Sequence, residues 1–279
     1  FRGSTMNRLN LTRRTQVINC LVEGNSIRST ERMTDTHRDT VMRLLVEIGD
    51  GCKALMDIEM RELSCRRVQV DEIWAYVAKK QRNMTGRDDP RLVGDQWTFV
   101  ALDPETKLVP TFRVGKRDLP NATAFLNDLS ERLMNRVQLS SDALRAYVDA
   151  AEQAFGADID YGQVVKFYEA EPIGAGRYSP PHVVGAEKTV IAGSPDQAHI
   201  STSIVERQNL TMRMSMRRFT RLTNAFSKKV ENLRAAVALH FAHYNFVRLH
   251  STLRCTPAMA AGVSPRLWTL DELVARTSN

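Results

Sequence analysis

Val68-Gln-Val-Asp-Glu-Ile-Trp-Ala-Tyr-Val77 is the stretch whose reading decides the fold. Val68, Val70, Ile73 and Val77, set among aromatic neighbours, predict a strand at the buried centre of a sheet. Yet two acids, Asp71 and Glu72, stand in its middle, and in a strand adjacent side chains point to opposite faces. Burying an unpaired carboxylate costs roughly several kcal/mol, so an acid there needs a partner, and a metal ion is one candidate. Asp71 is the first choice for that acid. Glu72 is its rival, because a register shift of one residue exchanges the faces.

Working outward, residues 96–102 and 108–114 read as two further strands joined by the turn Asp103-Pro-Glu-Thr. Pro110 cannot donate to a ladder, which places the third strand at a sheet edge or at a bulge. A helix is expected over 121–135, with Phe125, Leu126, Leu129 and Leu133 on its apolar face. Val137-Gln-Leu-Ser-Ser-Asp142 is a short strand ending on an acid, followed by a helix over 143–155 and a fifth strand over 161–168. Residues 169–199, rich in Pro and Gly, read as an irregular insertion with at most a small hairpin near 189–192. After the Glu206 helix, a long helical stretch is expected to about Phe246, with Phe226, Val230, Leu233, Val237, Phe241 and Tyr244 burying one face. Trp74, Trp97 and Trp268 are read as packing residues, and His240, His243 and His250 as core or hydrogen-bonding residues.

Ahead of the decisive strand, residues 12–48 carry three short amphipathic patterns. Thr12 can cap the first, Gly24-Asn25 can stop it, Ser26 can start the second, and Thr34 or Asp35 can cap the third. Three helices in so short a span, with a tight turn before the last, follow the helix-turn-helix plan. On that plan the last helix, over about 36–47, lies in a major groove with Thr36, His37, Arg38 and Thr40 near its leading end, and Arg38, Thr40 and Arg43 are the candidate DNA contacts. A plain helical cap is the alternative, since residues 6–50 hold seven basic and six acidic side chains.

The 279-residue chain carries a net charge of +7, which favours a polyanionic partner, nucleic acid before membrane. Cys20, Cys52, Cys65 and Cys255 form no metal-binding spacing and suit free thiols in a reducing, cytoplasmic setting. There is no signal-peptide pattern and no apolar run near the ~20 residues that a membrane span needs. Phe1 to Thr5, ahead of Met6, are expected to be an expression scar.

Two more acids draw attention. Asp142 sits at the carboxyl end of a strand, where ligand sites of α/β sheets lie, although it or Ser141 could simply cap the next helix. Glu206 is one of only two acids among eight Lys and Arg between Ser201 and Arg234; alone it reads as a complement to a helix dipole.

The element order, with Asp71, Asp142 and Glu206 at these places, resembles the ribonuclease H-like fold. The wording narrows the resemblance. Ser141-Asp142-Ala-Leu-Arg-Ala-Tyr147, Val205-Glu206-Arg-Gln-Asn209 with Arg213, Arg221-Leu-Thr-Asn-Ala-Phe226, and His243-Tyr-Asn-Phe-Val-Arg248-Leu-His250 running to Thr256-Pro257 look like DDE transposases of bacterial insertion sequences, closest to the insertion-sequence-one type. Asn25-Ser-Ile-Arg-Ser-Thr-Glu-Arg-Met33 and Thr40-Val-Met-Arg-Leu-Leu45 are similar to that family's helix-turn-helix wording. Two departures stand out: the N-terminal zinc-binding cysteines common in the family are missing, and 63 residues separate Asp142 from Glu206.

The resemblance implies an α/β, ribonuclease H-like mixed sheet with flanking helices, preceded by an all-α helix-turn-helix domain. It divides the chain into residues 6–50 for that domain, 51–67 for a helical connector, 68–262 for the catalytic domain with its insertion at about 169–199, and 263–279 for a tail. It also implies that Asp71, Asp142 and Glu206 hold two Mg²⁺ or Mn²⁺ ions, for cleavage and strand transfer at transposon ends. Asn209 and Arg213 would contact DNA phosphate or support the metal ligands, and a homo-oligomer would pair two ends; the charges of Arg217, Arg218, Arg221, Lys228 and Lys229 read as contacts to the backbone of double-stranded DNA, with a solvated face as the alternative. A DNA-binding repressor without catalysis, or a metal-dependent nuclease without strand transfer, are the alternatives.

Overall fold

The computed structural model describes residues 8–169, 183–220 and 223–278. Three helices open the chain: α1 (Leu11–Val22), α2 (Ile27–Thr34) and α3 (Arg38–Glu59). Asn10, not Thr12, caps α1 by accepting from the Arg13 N–H at 2.9 Å, while Ser26 caps α2 as its sequence suggests. Asp35 does not cap α3; it takes a left-handed conformation (φ 46°) that ends α2, and His37 is the cap of α3. α3 then runs unbroken for 22 residues, past the expected end near residue 47 and through the 50/51 boundary. Its buried Val41, Leu44, Leu45, Ile48, Cys52 and Met56 continue one apolar stripe, so nothing stops the helix there.

Six strands form one sheet in the order β3-β2-β1-β4-β5-β6, where β1 is Arg67–Val77, β2 Gly94–Leu102, β3 Phe112–Gly115, β4 Val137–Asp142, β5 Ile159–Tyr168 and β6 Val183–Ala192. β1 to β3 are antiparallel, β4 and β5 lie parallel to β1, and β6 is antiparallel to β5. This is a mixed α/β architecture with the strand order of a ribonuclease H-like sheet plus one added edge strand.

Several elements differ from the sequence-based expectation. β3 begins at Phe112 instead of Leu108, because the Asn245 side chain takes both backbone groups of Val109 (3.1 and 2.9 Å) and Pro110 offers no N–H. As Pro110 suggests, β3 lies at the sheet edge. β6 replaces the irregular segment expected over 183–192; its pairing with β5 satisfies backbone groups that composition alone had marked as loop. The rest of that stretch up to residue 182 lies outside the described residues, Glu169 apart.

α4 (Leu119–Ser130) and α5 (Arg145–Phe155) pack together on one face of the sheet, where Phe99 meets Phe125 and Tyr147. α6 (Ser203–Ser215) and α7 (Val230–Phe246) lie on the other. The helical stretch expected to run to Phe246 breaks after α6, where the hydroxyls of Thr220 and Thr223 take the carbonyls of Arg213 and Thr220. α7 is buried on nearly every side, not on one face, because α3 covers the side turned away from the sheet. Two short helices, α8 (Pro257–Ala260) and α9 (Leu270–Arg276), follow, and α9 packs on α1 and α3.

Candidate active site

The pairing of β1 creates the site. β1 bonds to β2 along nine residues, Gln69 to Val77, but to β4 only from Arg67 to Gln69. Beyond Gln69 the two parallel strands part, leaving a notch between the middle of β1 and the end of β4. Asp71 and Glu72 line one side and Asp142, the last residue of β4, the other. Oxygens of these three carboxylates lie within 4.8 Å of one another. Pleating sends Asp71 and Glu72 to opposite faces, yet each brings an oxygen into the group formed with Asp142. The two rivals are therefore both at the site.

Burial, followed by the charges of Glu72 and Asp142 and more weakly that of Glu206, pushes the Asp71 carboxyl up to about 7. Burial also raises Glu72 and Asp142 above the ordinary carboxylate range. Three partners hold the cluster in place. Asn209 on α6 donates its Nδ2 to Asp71 Oδ2 at 2.8 Å, the Tyr147 hydroxyl donates to Glu72 Oε2 at 3.0 Å, and the Leu144 N–H donates to Asp142 Oδ1 at 3.0 Å. The Arg117 guanidinium lies 2.5 Å from Glu72 and 3.7 Å from Asp142, and stacks 4.9 Å above the Trp97 ring. Trp97 thus packs as expected, with the Arg117 guanidinium over its ring.

Glu206 sits in the first turn of α6, whose start is fixed by Gln69 Oε1 accepting from the N–H groups of Ile204 and Val205 (3.0 and 3.1 Å). Among the described residues it stands outside the close group of three acids. Its carboxylate is paired with Lys166 on β5 and with the Thr202 hydroxyl.

Among the residues expected at DNA, Arg38, Arg43, Arg217, Lys228 and Lys229 are exposed, and Thr40 and Arg213 are half-buried. Arg218 donates to Ser227 Oγ at 2.8 Å, and Arg221 lies outside the described residues. Sequence reasoning missed Arg117, Tyr147 and Lys166 as parts of the site. The basic pair Lys116-Arg117 just before the α4 cap Asp118 was the available signal for the first, and Tyr147, quoted in the Asp142 motif, for the second. No comparable signal marks Lys166.

The strands form a ribonuclease H-like mixed sheet with a carboxylate cluster at the β1–β4 parting. No protein-family model and no curated protein matches the chain. Among solved structures it is similar to the Mos1 transposase paired-end complex with left transposon end (14% identity, TM-score 0.21, 55% of this chain and 58% of that one). It is also similar to the Mos1 mariner paired end complex with Mn (12%, 0.21, 55% and 59%) and the Mos1 strand transfer complex (13%, 0.23, 87% and 79%). The chain spans under two thirds of the length of the first two. Likeness at these scores adds nothing to what the strand order itself establishes.

Proposed function

We propose that the chain is a DDE-type transposase of bacterial insertion sequences, acting on double-stranded DNA by metal-dependent phosphoryl transfer. One observation carries the reading: three carboxylates converge at the parting of β1 and β4, with the Glu206 helix beside them. The donor set suits Mg²⁺ or Mn²⁺, which prefer hard oxygen ligands. The buried Asn209 Oδ1, which has no hydrogen-bond partner among the described residues, supplies a further oxygen at the same place.

Asp71, Asp142 and Glu206 would hold the ions, two in number, with Glu72 as an additional oxygen donor. When bound, such ions acidify the attacking hydroxyl and offset charge on the phosphate and its leaving oxygen. The chain's own groups prepare the site. Asn209 fixes Asp71, Tyr147 and Arg117 hold Glu72, and Lys166 pairs with Glu206 beside the acids. Hydrolysis at a transposon end would free a 3′-OH; that hydroxyl would then attack a target phosphate in line, displacing the target's own 3′ oxygen with no covalent protein intermediate.

Arg213, Arg217, Arg218, Lys228 and Lys229 would grip backbone phosphates, which gives affinity without sequence reading. Arg38, Thr40 and Arg43 at the start of α3 would read the ends, and a homo-oligomer would hold two of them. A cytoplasmic, nucleoid-associated location follows from that substrate; among the described residues no helix is long and apolar enough to cross a membrane. One observation favours a second reading: Glu206 is engaged by Lys166 and Thr202, which a DNA-binding repressor without catalysis would tolerate.

The test is joining of labelled terminal-repeat DNA. Joining should proceed in Mg²⁺ and stop in EDTA, and Asp142→Ala or Glu206→Gln should lower it by at least ~10³-fold with DNA binding retained, the loss expected on removing a group that acts with others as a unit. Tight binding with no cleavage by the unaltered protein in Mn²⁺ would favour the repressor.

A further inference from the structure

A cavity of about 890 Å³ lies between α2, α3, the segment after α6, and α7. It is a different place from the acidic notch. Phe226 on its wall packs at a tilt against Tyr76 (4.8 Å between ring centroids), and Ser227 bridges to Val77 at the end of β1, ~20 Å along the strand from Asp71 at the usual rise per residue.

Its chemistry is divided. Arg28, Arg38, Arg217, Arg218 and Lys228 contribute to the lining, and among the described residues none of the five forms an ion pair; Asp39 is the one acid of the lining. The Arg218 guanidinium donates to Ser227 Oγ, and burial brings its pKa down to about 10. Arg218 is half-buried by its accessible surface and meets no acid among the described residues, so its guanidinium is open to an anionic ligand. Apolar Ile27, Met42, Phe226 and Leu239 share the rest of the wall with neutral polar side chains such as Asn25, Thr223, Asn224 and Asn232. His240 is 6% exposed, and its Nε2 has no hydrogen-bond partner among the described residues. Burial, with the nearby charges of His243 and Arg248, lowers its pKa to about 3, so the ring is neutral and offers one polar edge beside Leu239.

A bare phosphate would need the cations but not the apolar interior, and an apolar peptide would leave the cations unmatched. We propose that this cavity takes one unpaired nucleotide of a DNA strand, its phosphate on the arginines and its base against Phe226, Leu239 and His240. The volume falls within the range of small-ligand sites. Base–aromatic contact and cationic grip are the two components by which single-stranded nucleic acid is held. That the nucleotide belongs to DNA, and is not free, rests on the proposed function.

The full chain in EDTA should bind a duplex with one unpaired 2-aminopurine at least ten-fold more tightly than the fully paired duplex, with a change in 2-aminopurine fluorescence. Phe226→Ala, which removes the aromatic contact, and Ala225→Trp, which fills the cavity from a surface loop, should each bring that preference close to one. Equal affinity for bulged and paired duplex, or a preference untouched by Ala225→Trp, overturns the proposal. So does displacement of the bulged duplex by poly-glutamate, which assigns the cavity to an acidic peptide. Free dAMP binding as tightly as the bulge overturns the assignment to DNA. Because no metal is present, bulge preference without strand joining in Mg²⁺ removes only the catalytic reading, and joining without bulge preference removes only this one.

Discussion

At Asp71, burial and the charges of Glu72, Asp142 and Glu206 all favour the protonated acid, which is why its pKa rises to about 7. The sign of the consequence follows from linkage. Between the ordinary carboxylate value and about 7 the folded protein keeps a proton that the unfolded chain has released, so folding is favoured at the acid end of that window. Without metal, stability should fall as pH rises from about 5 to 7 and level off above, with Glu72 and Asp142 acting in the same direction. Divalent ions compete for the same oxygens, so Mn²⁺ affinity should climb with pH across the window and flatten beyond it. Urea unfolding in EDTA and Mn²⁺ titration at pH 5.5, 6.5 and 7.5 measure both; Asp71→Asn should flatten each profile, and an unaltered slope in that variant would remove Asp71 as the source. The acids were legible in the sequence because a charge inside an apolar strand is conspicuous. The choice between Asp71 and Glu72 was not, because alternation assumes a strand paired on both sides, and here the neighbouring strand parts from β1 beyond Gln69. Arg117 and Lys166 were hidden for a related reason: they come to the acids from β-strand ends and edges whose neighbours are fixed by strand order, which local pattern does not encode.

The elements that position the site are held by close backbone approach as well as by side-chain burial. α3 lies against α7 at Gly49, where an added Cβ would meet the Ala235 backbone and methyl at 2.5 Å. Gly51 approaches the Thr277 carbonyl more closely still, at 2.2 Å from an added Cβ. Neither glycine has a positive φ, so their requirement is space, and a flexible neighbour is not there to yield. Gly49→Ala should therefore destabilise the fold by about 1–3 kcal/mol despite the better helix propensity of alanine, the usual cost of overpacking. Urea unfolding of the variant would read this directly, and a stabilised variant would mean that α3 and α7 are not in contact at that level. The same packing explains why α3 runs past its expected end and why α7 is buried on more sides than its periodicity predicts. A helix covered by the sheet and by a second helix is apolar all round, and periodicity in α7 marks the helix without revealing how many neighbours it has.

On the scale of the whole molecule, the opening helices and the sheet draw on one continuous set of buried side chains. The apolar core runs from Val17 and Ile18 in α1 through Ile48 in α3 and Val237 in α7 to Val70 and Ile73 in β1, and α9 closes it against α1. Two thiols report on its two ends. Cys52 is buried in α3 beside Thr277, and Cys65 lies just before β1; burial pushes both up to about 12, so neither offers a thiolate to a reagent at neutral pH. Cys20 and Cys255 are half-buried. In native protein an aromatic disulfide reagent should therefore label Cys20 and Cys255 well before the other two. With rising urea, Cys52 and Cys65 should become reactive together, at the midpoint where helical signal is lost, because breaking either end of a shared core uncovers the other. Separate midpoints, with Cys52 released first, would mean that the helices leave the sheet as an independent unit. In that case the nucleotide-sized cavity between them would open and close in the native protein, and the ~20 Å spacing from the acids would hold only in the closed form.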